Sequence, residues 1–185
     1  MTRARTTVIA LLIVAATAAA LLAMGRPPIC TCGTIALWEP SATSARTSQM
    51  LSDWYSPSHV IHGMIFYGLL WLFFGRQPIG HRFLAALTIE AGWELVENTP
   101  LIIDRYREAT MALGYTGDSV INSLSDIGMM ALGFIIARKL PVPAVVALAV
   151  ALEVAALVVI RDNLTLNIIM LLAPSDAIRA WQAGG

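Results

Sequence analysis

The stretch VIALLIVAATAAALLAM, residues 8–24, contains a single polar side chain, Thr17. A helix rises about 1.5 Å per residue, so about 20 apolar residues cross the hydrocarbon core of a bilayer. Such a run restricts the chain to a membrane helix or a cleaved leader. It follows the basic start MTRART, as a signal peptide would. Signal h-regions run to roughly 7–15 residues and end at small-residue cleavage sites. This run is longer and no such site follows, so an uncleaved first span is expected.

Four further stretches have the same character: SHVIHGMIFYGLLWLFFG (58–75), RFLAALTIEAGWELVENTPLII (82–103), SVINSLSDIGMMALGFIIA (119–137) and PVPAVVALAVALEVAALVVI (141–160). LTLNIIMLL (164–172) is too short to cross and reads as a re-entrant or interfacial helix. Only 13% of residues are charged, against about 25% in soluble domains. The expected fold is all-α, a polytopic transmembrane helical bundle of about five spans forming one integral membrane domain over 1–185. Formal net charge is zero, so membrane lipids rather than nucleic acid are the expected partners. A homo-oligomer is compatible with this composition.

Charge orients the bundle. With the N-terminus cytoplasmic, the inner segments hold Arg3, Arg5, Arg76, Arg82, Arg138 and Lys139 and no acid. That satisfies the positive-inside rule and predicts a multi-pass protein of the cell inner membrane. The segment 25–57 is then an outer loop. It holds Cys30 and Cys32. A Cys-x-Cys disulfide is strained, and two thiols are too few for a closed zinc site. A structural role is expected, with metal or redox chemistry as the alternative.

The third span poses the functional question, because IEAGWELVENTPLIIDRY (89–106) carries Glu90, Glu94 and Glu97. Carboxylates at membrane depth are costly and mark functional sites. Their spacing is i, i+4, i+7, which is one helical face. Asp118, Asn122 and Asp126 repeat the pattern on the fourth span, and His59 and His62 share a face of the second. Glu153 lies at a similar depth on the fifth. Lipid-facing charges would cost several kcal/mol each, so the stripes must turn inward and form a polar pocket in the outer half. Glu94, Glu97 and Asp126 are the candidate catalytic acids. His62, Asp118, Asn122, Arg105, Arg161 and Asn163 are the candidate binding residues. Glu94 and Glu97 are expected within reach of Asn122 or Asp126 and of at least one of Arg105, Arg161 and His62. A shared proton or a bound cation is the other way to relieve their repulsion. Glu94 is expected to be the most buried acid. His59 reads as an interfacial residue, although His59, His62 and Asp118 together suit a divalent metal. Simple ion pairing between helices is the bland alternative.

The strings GRPPICTCG, LSDWYSPSHVIHG, WELVENTPLIIDRYR, GDSVINSLSD and IRDNLTLNI resemble an uncharacterised bacterial inner-membrane family, the domain-of-unknown-function family numbered 2585 (uncharacterised protein family 0314). The resemblance covers nearly all of the chain after the first span and implies no activity. A weaker similarity is to VanZ-like membrane proteins, carried by His62, Glu94-Leu95-Val96-Glu97 and Asp118-Ser119-Val120-Ile121-Asn122 in that order. Glu97 stands where that pattern has Gln. The similarity implies envelope biology, not a reaction.

Three functions fit this reading. Paired carboxylates with different environments can serve as acid and base on a lipid-linked or cell-envelope substrate. Carboxylate and His chains also build transporters and proton relays, but no polar groups continue through the inner half. The third function is non-catalytic lipid binding or assembly. The sequence lacks His-Glu-x-x-His, Gly-x-Ser-x-Gly and phosphate-loop motifs.

Overall fold

The computed structural model describes residues 2–110 and 114–184, and among them every regular element is helical. In chain order these are α1 (Arg3–Ala23), α2 (Ser56–Phe74), α3 (Ile79–Glu97), α4 (Pro100–Ala109), α5 (Val120–Lys139), α6 (Val142–Ile160), α7 (Leu164–Leu172) and α8 (Asp176–Gln182). Helix ends follow local chemistry. The Thr2 hydroxyl accepts from Arg5 N to cap α1, and the Ser119 hydroxyl accepts from Asn122 N to cap α5. Prolines occupy the first turns of α2, α4 and α6, where the missing N–H leaves no helical bond unmade. Arg138 and Lys139 close α5, at the end where the helix dipole favours cations.

Four helices, α1, α2, α5 and α6, are long and apolar enough to cross a membrane. The fold is a helical membrane bundle. The helix α3 has 19 residues, as long as α2 and α6, but its acids take it out of that apolar set. It packs against α1, α2 and α5. The third span expected over 82–103 is corrected here: the helix stops at Glu97, and a second one starts at Pro100. Thr99 between them is extended, with ψ 151°, because a residue before proline is excluded from the helical region. Glu97 therefore ends a helix instead of lying within one.

The bundle core joins Ala86, Leu87 and Ala91 of α3 to Ile127, Met130 and Phe134 of α5. Tyr67 and Phe83 meet the Phe134 ring edge-on, at centroid distances of 5.2 and 5.4 Å. Outward-facing Leu11, Leu72, Phe73 and Val158 are exposed, as lipid-facing positions must be. The helices α2 and α5 touch through their backbones. A Cβ at Gly63 would stand 1.9 Å from the Met130 carbonyl oxygen, and one at Gly133 would stand 1.9 Å from that of Val60. Only glycine permits this reciprocal approach.

The 25–55 segment folds over the N-terminus of α5; that side is called the loop end below. Val120 N donates to Pro27 O (2.8 Å), Asn122 Nδ2 to Met50 O (2.9 Å) and Gln49 Nε2 to Gly117 O (2.8 Å). Arg46 pairs with Glu39 at 3.2 Å. Cys30 and Cys32 form a disulfide within this segment.

The short helix α7 spans Leu164–Leu172, as its apolar run predicts. Glu153 caps it: its carboxylate accepts from Leu164 N (3.0 Å), Thr165 N (3.1 Å) and the Thr165 hydroxyl (2.5 Å). The acid of the fifth span is thus spent on a helix terminus, not on the pocket.

Candidate functional site

Three helices each contribute one polar stripe at the loop end, and the stripes converge. His59 of α2 is at the centre and is buried. Its Nδ1 is 2.6 Å from Glu90 Oε1 and 3.5 Å from Glu94 Oε1 of α3, and its Nε2 is 3.8 Å from Asp126 Oδ2 of α5. His62, one turn on, approaches both Glu90 oxygens at 3.2 and 3.3 Å. The Ser56 hydroxyl donates to Asp126 Oδ1 (2.9 Å) and accepts from Asp53 N (3.1 Å). The Nδ1–H of His59 belongs to Glu90, which leaves Nε2 facing Asp126. An imidazole between two carboxylates can hold and release a proton.

A second group surrounds Asp118. Asn98 Nδ2 donates to Asp118 Oδ2 and Asp118 N donates back to Asn98 Oδ1, both at 2.7 Å. The Tyr115 hydroxyl donates to Asp118 Oδ1 at 2.9 Å. Burial pushes the Asp118 carboxyl up to about 6 despite these donors. Burial also raises Tyr106 and Tyr115 well above the usual phenol value. Asp53, at the start of α2, accepts from Ser48 N (2.7 Å) and Tyr55 N (2.8 Å); burial still raises its pKa.

A third group centres on Asp162. Its carboxylate accepts from Tyr55 OH (3.2 Å), Asn167 Nδ2 (3.0 Å), Gln182 Nε2 (3.1 Å) and Asn163 N (2.9 Å). Burial pushes it up to about 6. This knot ties the α6–α7 junction to α2 and α8.

Between the groups lies a cavity of about 660 Å³, within the usual range for small-molecule sites. His59, His62, Glu90 and Asp126 form one side, with Glu97, Tyr106, Tyr115 and Asp118 beside them. Phe66, Ile89, Trp93, Ile168 and Leu171 form an apolar wall. Ile89 and Ile168 are about half exposed, at 51% and 47%, so that wall continues onto the outer surface of the bundle. Residues 42–45 together with Thr47 and Ser48 lie at the rim.

Several expected residues sit elsewhere or play other parts. Arg105 Nε donates to Leu171 O (2.9 Å), closing the C-terminus of α7. Arg161 donates to Trp181 O (3.0 Å) and lies over the Trp181 ring. Neither pairs with Glu94 or Glu97; a long cationic side chain follows the nearest helix-end carbonyls, which spacing does not reveal. Asn163 accepts from Leu166 N (2.8 Å) as the cap of α7, while Asn167 lines the cavity. Asn122 lines it too, but its amide anchors the 25–55 segment. His59 is no interfacial bystander. Glu90 at 0% exposure is as deeply buried as Glu94 at 1%. The metal-ligand set regroups: His59 and His62 cluster with Glu90, whereas Asp118 clusters with Glu94 and Glu97. Asn98, Asp53, Ser56, Tyr55, Tyr106 and Tyr115 were not legible as site residues. Asn98 carries one signal in the sequence: it is the polar residue that ends the acidic stripe just before Thr99-Pro100.

The fold and the site define a polytopic helical membrane protein with a His–carboxylate cluster beside a cavity at one end. Residues 21–184 match the family described as "Protein of unknown function (DUF2585)", and the chain belongs to that family. It is 56% identical over 161 residues to a UPF0314 protein of Rhizobium etli, covering 87% of this chain and 83% of that one. A UPF0314 protein of Sphingopyxis alaskensis is 52% identical over 177 residues, 96% and 94% of the two chains. One of Agrobacterium fabrum is 54% identical over 162 residues, 88% and 82%. No solved structure matches the chain. These comparisons do not show the weaker likeness to VanZ-like proteins.

Proposed function

We propose that this protein acts from the cell inner membrane, with a cytoplasmic N-terminus, on an amphiphilic lipid-linked or cell-envelope substrate held in the loop-end cavity. The observation that carries this reading is the division of the cavity. It is lined by a buried acid–base cluster around His59 and by apolar side chains, of which Ile89 and Ile168 reach the outer surface of the bundle. A polar headgroup would meet His59, while its chain would lie along Phe66, Trp93 and Ile168. Glu90 fixes the His59 ring through Nδ1. The Nε2 edge then takes or gives the proton of a hydroxyl or water in the cavity, and Asp126 stabilises the imidazolium so formed. Glu94, at 3.5 Å from the same ring, adds to that stabilisation. With five crossings and a cytoplasmic N-terminus, this site would lie in the outer half of the membrane.

Two experiments test the proposal. Lipid extracts from cells overproducing the wild type or His59→Gln are compared by mass spectrometry. A lipid-linked species should change in abundance with the wild type only; identical profiles, with both proteins folded in the membrane, would sink the catalytic reading. Reporter fusions after Lys139 and after Gly185 should report opposite compartments. The same compartment for both would refute the five-crossing count.

A further inference from the structure

The carboxylates around the cavity outnumber the bases that face them. Asp53, Glu90, Glu94, Glu97, Asp118 and Asp126 gather at the loop end. Among the described residues, only His59 and His62 form ion pairs with any of them. The arginines of this region are turned to backbone carbonyls: Arg26 to Thr116, Arg105 to Leu171 and Arg107 to Tyr115. His59 and His62 both serve Glu90 first. That leaves Glu97 and Asp118 with no ion pair and Glu94 with only the long 3.5 Å approach of His59 Nδ1.

Glu94 is the sharpest case. It is 1% exposed, and its Oε1 is buried with no hydrogen-bond partner. Its neighbours Glu90, Asp118 and Asp126 all receive donors. A buried carboxylate oxygen without a donor is expensive. Carboxylate atoms of Glu94, Glu97 and Asp118 lie within 4.8 Å of one another. Glu97 and Asp118 open onto the cavity, which supplies a route for water or an ion. Asp118 is held in orientation by Asn98 and Tyr115, as the outer partners of a ligating carboxylate commonly do.

We propose that Glu94, Glu97 and Asp118 bind one hard divalent cation, of the Mg²⁺, Mn²⁺ or Ca²⁺ class, at the cavity wall. Three oxygen donors and no imidazole or thiol select that class over zinc or copper. Water from the cavity completes the coordination shell. The cation relieves the repulsion among the three carboxylates and supplies the partner that Glu94 Oε1 lacks. It also makes an anionic headgroup acceptable in a cavity otherwise lined by acids. This goes beyond the His59 reading, because cation binding is measured without any substrate and stands or falls alone.

The test uses the full chain in non-ionic detergent, stripped with a chelator and titrated with Mn²⁺ alone. Electron paramagnetic resonance follows the free Mn²⁺ signal. One saturable Mn²⁺ per chain is expected, displaced by excess Mg²⁺ or Ca²⁺. Glu94→Gln and Asp118→Asn should weaken binding at least about tenfold. Glu97→Gln, at a half-buried position that tolerates the change, should do the same. Asp104→Asn, an exposed acid on α4, should leave binding unchanged. No saturable binding by the wild type would overturn the proposal, as would unaltered affinity in a folded Glu97→Gln variant.

Discussion

His59 Nδ1 and Glu90 Oε1 lie 2.6 Å apart, and both side chains are buried. This contact joins α2 to α3 at the level of the cavity. Breaking a buried pair from one side leaves an uncompensated polar group and costs about 3–5 kcal/mol. Glu90→Ala should therefore lower the thermal unfolding midpoint in detergent sharply. Glu90→Gln keeps a hydrogen-bond acceptor and should cost clearly less. Equal losses in the two variants would show that the ion pair is not what holds the helices here.

The glycine contact between α2 and α5 gives a second prediction. Overpacking costs about 1–3 kcal/mol where side chains can shift. At Gly63 and Gly133 the obstacle is backbone, so Gly63→Ala and Gly133→Ala should reach or exceed that range. Gly68 and Gly92 have open space where a Cβ would stand, and their alanine variants should behave as wild type. Folded yield and unfolding midpoints of all four variants provide the comparison. A harmless Gly63→Ala would contradict the close approach.

Stability should depend on pH through Asp162. Burial holds its folded pKa at about 6, above the ordinary aspartate value of 3.8, so the folded state binds the proton more tightly than the unfolded chain. Its contribution is then greatest below about pH 4 and is lost as pH rises through about 6. Unfolding midpoints of the wild type should fall across that window, and Asp162→Asn should make the fall shallower. An unchanged slope in the variant would remove Asp162 as a source.

The cap on α7 yields a local effect. Glu153→Ala removes the acceptor for Leu164 N, Thr165 N and the Thr165 hydroxyl, and caps of this kind contribute about 0.5–2 kcal/mol. Hydrogen exchange over 164–172 should accelerate while that of α5 stays put. Uniform acceleration of both would point to a global role for Glu153 instead.

The stripes on α2, α3 and α5 were legible in the sequence because helical spacing fixes which residues share a face, and lipid forbids charge on the outer one. Helical spacing alone gathers Glu90, Glu94, Glu97, Asp126 and His62 in one place. It could not rank them. Which acid receives His59 depends on the rotation of α3 against α2, and that is set by packing around Phe134 and the glycine contact. Asn98, Asp53 and Tyr115 lie outside the long helices, where no periodicity declares a direction. Arg105 and Arg161 were misassigned because charge complementarity alone suggested carboxylates; the unsatisfied carbonyls nearby took them first. The break at Asn98-Thr99 was written in Pro100, yet the apolar run across it read as continuous.

The reciprocal glycine contact has a mechanical consequence. Two helices joined backbone to backbone behave as one beam, and His59, His62 and Asp126 are mounted on that beam. Their mutual spacing is set by main-chain contact and not by adjustable side chains. The part of the apolar lining carried by α7 has no such weld. Ile168 and Leu171 ride on a nine-residue helix held at its two ends, by Glu153 at one and Arg105 at the other. The proton-handling part of the cavity is therefore an anvil, and the α7 part of its lining is where the chamber can give.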